Sequence, residues 1–417
     1  MHLQRRYIMK IISLTQTQYR NYANLHSKRN FGQTIEYSML KFNVNKKRLF
    51  LGLIDENNNI HAATLIMIHN INPTIKEAIA PNGYLIDYAD FELVRTFTTL
   101  LKKYLFREGV TYLITNPMFK YKVYNKDNKI ILNNENIYSN LIRLDYKSIG
   151  YYSPFSMYDV IIENNDGINA IYNKFNRNTK RNINEGINLG VSLHKAKKDF
   201  IDKAYEIFKK KTTHNLEYYH NLASIYNTKD NKLEIFYASL DPHKYLVNVK
   251  KLYEKEQVKN DKIHETFDRN IGHITEKLLN KKINSDKTLE KYSQELHKAM
   301  LLNQNTHESI VIGTCIVIKN NHEIYFLIDG YNEKYRSVHS THILKWAIIK
   351  KYYQQGYRIF NLGEIHKDYF NRESKYYGQY RYKIGFGGNI IQYTPELLLV
   401  INQPLYSMYK KINHRIP

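Results

Sequence analysis

The stretch from Tyr325 to Asn389 constrains the fold most, because it strings strand, turn, helix and strand signals within the span of one compact unit. IYFLIDGYNEKYR reads as an apolar strand running into a turn at Gly330. STHILKWAIIKKYYQQGYR follows as an amphipathic helix closed at Gly356, and IFNLGE supplies a second strand through Ile359, Phe360 and Leu362. After a tyrosine-rich loop, the pattern of YRYKIGFGGNIIQYT predicts a lysine-bearing strand opening into a glycine bulge. A lysine at such an opening can face a cleft, which makes Lys383 the first candidate for chemistry.

The remainder repeats this kind of order. YRNYANLH predicts a helix, KRLFLGLIDENNNIHAATLIMIH a hairpin turning at Asn57 to Asn59, FELVRTFTTLLKKYLFREG a helix ending at Gly109, and TYLITNP a strand. The programme restarts at YDVIIENN and continues through a basic helix near Lys180, the strand GVSLHKA and the helix DFIDKAYEIFKKKTT. Such repetition predicts two related α/β units, in keeping with 417 residues, too many for one ordinary core. Between Lys244 and Asn303 the chain turns polar and rich in lysine and glutamate. Ile263, Phe267, Ile271, Ile274 and Leu278, then Leu289, Tyr292 and Leu296, recur at helical spacing and predict an antiparallel helical hairpin. KKINSD is its expected turn, with Ser285 or Asp286 as a helix cap.

Composition narrows the partners. A formal charge of +23, from 62 basic and 39 acidic residues, fits RNA, nucleotide phosphates or an anionic membrane surface, although an AT-rich genome yields a similar lysine- and asparagine-rich chain. The 38 tyrosines suit base stacking and strand packing equally. Cys315 stands alone inside an apolar strand, so neither a disulfide framework nor a cysteine zinc site can form. The 17 histidines include no HExxH, and His339 and His342 read as helix-start residues rather than ligands. No GxxxxGK[ST] is present and no apolar run reaches the roughly 20 residues that span a bilayer. A cytoplasmic, soluble enzyme without metal or nucleotide cofactor is expected, with peripheral contact at the inner membrane face left open.

The motifs together resemble the FemABX family of peptidoglycan interpeptide-bridge aminoacyltransferases. NFGQTIEYSMLK (Asn30 to Lys41), APNGYLIDYADFELV (Ala80 to Val94), NTKRNINEGINLGVSL (Asn178 to Leu193) and the Tyr325 to Asn389 stretch stand in family order across nearly the whole chain. The resemblance implies an α/β (α+β) fold of two acetyltransferase-like (GNAT) domains with an inserted coiled-coil arm of the staphylococcal type. The implied division is an extension at 1–8, a first domain at 9–150, a second at 151–243 and 304–398, an arm at 244–303 and a C-terminal helix at 399–417 that packs back on the body. Met9 followed by KIISLT resembles the family's usual start.

The resemblance also implies aminoacyl-tRNA and a nucleotide-linked or lipid-linked peptidoglycan precursor as partners, with self-association or association with related family members. Lys383 matches the family lysine near the acceptor end of the tRNA, and Tyr382 the aromatic position that stacks on the terminal adenine. Lys41 and Arg181 match positions that meet the precursor's diphosphate, with Lys180 able to share the task. Tyr218 and Tyr219 resemble a family tyrosine pair that also suits core packing. Asp87, a carboxylate among the apolar neighbours of LIDY, is the candidate for holding or deprotonating the incoming amine, or else a cap for the helix that follows. Two departures stand out: Pro81-Asn82-Gly83-Tyr84 where the family reads Pro-x-Gly-Pro, and Asn116 before Pro117 where Asp-Pro is usual. Two alternatives remain, an acyl-CoA-dependent N-acyltransferase of the same fold and a non-catalytic RNA- or envelope-binding protein. The Gln/Arg-x-x-Gly-x-Gly/Ala turn that cradles acetyl-CoA pyrophosphate is not met after Lys383.

Overall fold

The computed structural model describes residues 9–27, 30–40, 45–151, 157–320 and 322–412. Lys41 and the extension at 1–8 lie outside the described residues. Strands β1 (Lys10–Ser13), β2 (Lys47–Ile54), β3 (Ile60–Asn70) and β4 (Lys76–Ala80) form an antiparallel meander, flanked by helices α1 (Gln16–Leu25) and α2 (Ile35–Met39). Helix α3 (Phe91–Arg107) then crosses to β5 (Tyr112–Thr115), which pairs with β4 in parallel. Val94, Phe97, Leu101 and Leu105 give α3 its buried face, and the Asp90 carboxylate caps it by accepting from the Leu93 N–H at 3.0 Å.

Next come β6 (Lys122–Tyr124), β7 (Ile130–Asn133), α4 (Glu135–Arg143), β8 (Tyr146–Gly150), β9 (Tyr158–Glu163), α5 (Ile168–Lys174) and α6 (Arg177–Asn188). The opening order then returns: β10 (Ser192–Ala196), α7 (Ile201–Phe208), α8 (Leu216–Ile225), β11 (Lys232–Leu240), and, beyond the long helices α9 (Pro242–Arg269) and α10 (Glu276–Asn305), β12 (Ile310–Lys319) and β13 (Glu323–Tyr331). Helix α11 (Ser340–Gln354) crosses to β14 (Ile359–Ile365), again parallel to its predecessor. The chain closes with α12 (Tyr377–Ile384), β15 (Asn389–Gln392), β16 (Glu396–Val400) and α13 (Gln403–Ile412), whose Tyr406 and Tyr409 pack on Tyr112 of the first sheet.

Both sheets therefore contain a four-strand antiparallel meander followed by a helix and a parallel strand; the second copy begins at β10, whereas YDVIIENN, where the sequence pattern restarts, is β9 and lies between β14 and β15. Their orders are β1-β2-β3-β4-β5-β16-β8 and β10-β11-β12-β13-β14-β9-β15-β6-β7. The chain crosses between them in both directions. Strands β6 and β7 extend the second sheet, while β16 enters the first between β5 and β8. Cuts at residues 150 and 398 thus do not separate one sheet from the other.

The arm forms as an antiparallel pair but departs from expectation in two respects. Its reversal lies at 270–275, where Gly272 takes φ 99° and Thr275 caps α10, whereas KKINSD sits inside α10. Ser285 and Asp286 are seam residues, not caps. The Asn260 side-chain amide donates to Asp286 Oδ1 at 2.7 Å, and Ser285 Oγ donates to Glu256 Oε1 at 3.3 Å. A polar layer inside an apolar seam fixes register at some cost in stability. At the root, Tyr245, Val249, Ala299 and Leu302 join the core of the second sheet, so the hairpin is not independent of the body there.

Candidate active site

Strands β13 and β14 pair only from Glu323↔Ile359 to Tyr325↔Asn361, although both continue, and their carboxyl ends part. A crevice at the carboxyl ends of parallel strands is where open α/β sheets bind ligands. Here it belongs to a cleft of about 2200 Å³ lined from both sheets: Glu77, Asn82, Asn116 and Glu396 on one side, Asp159, Asp329, Lys345, Glu364 and Lys383 on the other. Its size exceeds the roughly 300–1,000 Å³ of a single small-molecule pocket.

Lys383 reaches this opening from a helix, not from the strand its alternating pattern predicts. The last turn of α12 holds Gly385 N–H against the Arg381 carbonyl at 3.2 Å, and Gly387, at φ 73°, closes it against the Ile384 carbonyl at 2.9 Å. A Cβ on Gly387 would come within 2.6 Å of the Lys174 carbonyl oxygen, and the Asn176 N–H donates to the Gly385 carbonyl at 2.9 Å. The glycines therefore seat the end of α12 on the corner between α5 and α6 instead of forming a strand bulge. Local alternation was overridden by this tertiary seat.

Lys383 Nζ donates to the Glu364 carbonyl at 2.7 Å, passing over Gly363, where an added Cβ would lie 3.2 Å from it. Burial, with repulsion from Lys345 behind it, lowers the Lys383 pKa to about 8, against the pull of Asp329, Asp159 and Glu364. Lys345 is 1% exposed, with its ammonium 3.1 Å from Asp329 Oδ2 and over the rings of Phe326 and Tyr382 at 4.4 and 5.2 Å. Burial works to raise Asp329, but Lys345 and Lys211 hold it below the usual carboxylate range. Asp159 goes the other way, raised by burial, and accepts from the Asn361 amide at 2.9 Å and the Tyr393 hydroxyl at 3.1 Å. Beside it, Glu364 is pushed up to about 7 by desolvation on its protein-facing sides and by Asp159, with Lys383 opposing. His342 is held neutral by burial and by His339, its pKa near 3.

Two of the expected site residues, Lys383 and Tyr382, meet in the cleft. The Tyr382 hydroxyl donates to Asp329 Oδ2 and to the Thr341 carbonyl, both at 3.2 Å, tying α12 to α11. Tyr219 reaches the same wall but is 2% exposed, its hydroxyl donating to Thr212 Oγ1 at 2.9 Å, a core role. Asp87 does not belong here. It is exposed, outside the cleft lining, and its Oδ1 accepts from the Ala89 N–H at 3.0 Å in the turn before α3, because the chain bends at LIDY rather than extending as a strand. Lys180 Nζ is occupied with the Asn173 carbonyl at 3.0 Å, whereas the adjacent Arg181 is exposed and paired with no carboxylate among the described residues. Neither lines the cleft, but Asn182 does.

Asp159, Asp329, Lys345 and Glu364 were missed. One signal was available: Lys345 stands among Ile343, Leu344, Ile348 and Ile349, a charge on an apolar helix face. The carboxylates converge from strands far apart in sequence, and nothing local marks them. Asn116, which breaks the usual Asp-Pro, accepts from the Asn82 N–H at 2.7 Å and braces the turn where Pro-x-Gly-Pro is also broken. Among the described residues no group of three or more side chains is arranged to hold a metal, and no helix is long and apolar enough to cross a membrane.

A family model for the FemAB family matches residues 14–414. The chain belongs to the FemAB family. It is 24% identical to aminoacyltransferase FemB of Staphylococcus epidermidis, over 97% of this chain and 98% of that one, and 23% identical to aminoacyltransferase FemA of Staphylococcus aureus, over 98% and 100%. Among solved structures, the crystal structure of FemX covers 96% of this chain and 99% of its own, with a TM-score of 0.71 at 14% identity, a shared fold.

Proposed function

We propose that this FemAB-family protein is an aminoacyltransferase that moves an amino acid from aminoacyl-tRNA to the stem-peptide amine of a peptidoglycan precursor, building the interpeptide bridge. The observation that carries this reading is the full-length family match together with a lysine held at the parted ends of two parallel strands, in a cleft large enough for two substrates. The acyl ester of a charged tRNA is already activated, so the enzyme has to align the amine, remove its proton and stabilise the oxyanion. No covalent nucleophile is required.

Lys383 supplies the cation near the ester, for the oxyanion or the terminal phosphate, and Tyr382 an aromatic wall for the terminal base. Arg181 stands beside cleft-lining Asn182, so a diphosphate it held would lie at the rim; Lys180 and Lys41 complete the family's phosphate set. A lipid-linked acceptor brings the protein to the cytoplasmic face of the membrane. The deciding experiment incubates purified protein with labelled aminoacyl-tRNAs and either precursor, and follows label into the stem peptide. Transfer from tRNA supports the reading. Activity with acyl-CoA alone would replace it with the N-acyltransferase alternative, and binding without transfer would leave the non-catalytic one.

A further inference from the structure

Lys383 Nζ donates to the Glu364 carbonyl at 2.7 Å, a placement that suits an ammonium stabilising developing charge. The cleft offers another group to take up the amine's proton. Glu364 projects from the parted end of β14 into the cleft, opposite Asp159 in the β9 register, and its own carbonyl receives the Lys383 ammonium. Its carboxylate makes no hydrogen bond or ion pair among the described residues, unlike Asp159 and Asp329, whose oxygens are engaged. Of the three carboxylates clustered here, it alone is both solvent-exposed and unengaged.

We infer that Glu364 is the general base of the transfer. The inference rests on the proposed aminoacyl transfer. The amine nitrogen forms a bond to the ester carbonyl carbon while the C=O electron pair moves onto oxygen beside Lys383, and the nitrogen's proton passes to the Glu364 carboxylate. The carbonyl re-forms as the bond to the ribose oxygen breaks, and Glu364 returns the proton to that oxygen. The products are the new amide and a free ribose hydroxyl, with Glu364 restored. A base works best with a pKa near the working pH. Desolvation on its protein-facing sides and the neighbouring Asp159 bring Glu364 to about 7, although its solvent side stays open. The charged and titratable groups facing it are Asp159 on β9, Lys383 on α12, Tyr218 on α8 and Tyr325 on β13. Asp159 raises it, Lys383 lowers it, and both tyrosines stay neutral, raised by burial.

The test is single-turnover transfer against pH. In the unsubstituted protein the rate should rise through an inflection near pH 7. Glu364→Gln should lower the plateau about 10²- to 10³-fold, within the usual range for losing a general base, and abolish the inflection, with precursor binding changed less than about twofold, within the ordinary scatter of surface substitutions. Glu364→Asp, which keeps a carboxylate, should retain the inflection at reduced rate and separates chemistry from misfolding. Asp159→Asn should move the inflection to lower pH. A Glu364→Gln protein that transfers within about threefold of the unsubstituted rate, well short of the loss expected for a base, or keeps the inflection, overturns the assignment. Absence of transfer by the unsubstituted protein from any aminoacyl-tRNA overturns the underlying reading instead, so the two failures are distinguishable.

Discussion

Replacing Lys345 with methionine tests how the cleft is built. The substitution keeps the length of the side chain but removes a cation that is 1% exposed and 3.1 Å from Asp329 Oδ2. Breaking a buried pair from one side typically costs about 3–5 kcal/mol, chiefly through the charge left behind. Asp329 would keep the Tyr382 hydroxyl at 3.2 Å and Lys211 at 3.8 Å, the latter on a side chain 42% exposed. Partial compensation puts the expected loss at the low end, about 3 kcal/mol. With a urea m-value of about 3 kcal/mol/M, the midpoint should fall by about 1 M. The single tryptophan, Trp346, follows Lys345 on α11 and packs on Tyr172 and Phe175, so its fluorescence reports the region directly. Adding Asp329→Asn removes the orphaned charge and should recover part of the loss, giving a coupling above about 1 kcal/mol. Lys345→Met at unsubstituted stability, or two strictly additive substitutions, would refute the buried pair as the keystone of the cleft floor. Because Lys345 depresses Lys383, the same variant should also move Lys383 titration upward from about 8.

Lys383→Ala should abolish transfer while costing only about 1 kcal/mol in a denaturation curve, since one hydrogen bond is lost; Lys383→Arg should not rescue fully, because the guanidinium is planar and larger. Gly387→Ala should cost about 2 kcal/mol and depress transfer, because φ is 73° and the new Cβ meets the Lys174 carbonyl oxygen at 2.6 Å; unchanged stability would show that α12 can re-seat. For Glu364, whose folded pKa is raised, the associated stability is fully present below the unfolded value of about 4.5 and is lost as pH rises through about 7. Glu364→Gln should therefore flatten the stability profile between those pH values, by about 1 kcal/mol or less once solvent screening is allowed for. Arg181→Ala should weaken precursor binding by roughly 1.5–3 kcal/mol in calorimetry, the value of a charge-assisted hydrogen bond, with tRNA affinity little changed; equal weakening of both would mark Arg181 as general electrostatics.

What could be read in the sequence was whatever local pattern enforces. Helix α3, with apolar residues spaced three and four apart and Asp90 ahead of it, and the β2–β3 hairpin around Asp55 to Asn59, follow from periodicity and turn chemistry. Lys383 stands out through its motif, but YRYKI forms helix α12 and not the strand its alternation favours, because Gly385 is shaped by contact with Asn176 and Thr179 at the start of α6 and Gly387 by Lys174 at the end of α5. Glu364 lay inside a quoted strand without drawing notice, since its character depends on Asp159, 205 positions earlier. Strand exchange between the sheets was invisible for the same reason: β7 and β16 carry no local mark of which edge they will join.

The arm divides into a root and a tip with different physical roles. At the root, Lys291 of α10 pairs with Glu185 of α6, which lies 3.5 Å from His339, the residue that opens α11 at φ 55°. One turn further along α10, Glu295 accepts from Ser337 Oγ at 2.9 Å, and Tyr245 of α9 donates to the same carboxylate. The segment that launches α11, and with it His342 and Lys345, is therefore held by arm residues. Removing 244–303 would strip Tyr245, Val249 and Ala299 from the core and release the start of α11. Beyond the polar layer at Asn260 and Ser285 the side-chain hydrogen bonds and cation–ring contact found among the described residues stay within the hairpin, and Ile271 and Ile274 are exposed at the reversal. Shortening the arm by joining 262 to 284 through a tight turn should thus leave a folded protein with its cleft intact. If the tip serves tRNA or a partner protein, that variant should raise the KM for aminoacyl-tRNA or lose an association, with precursor binding unchanged. Identical kinetics and association would confine the arm's contribution to its root, where it acts as a brace for the α11 end of the active site.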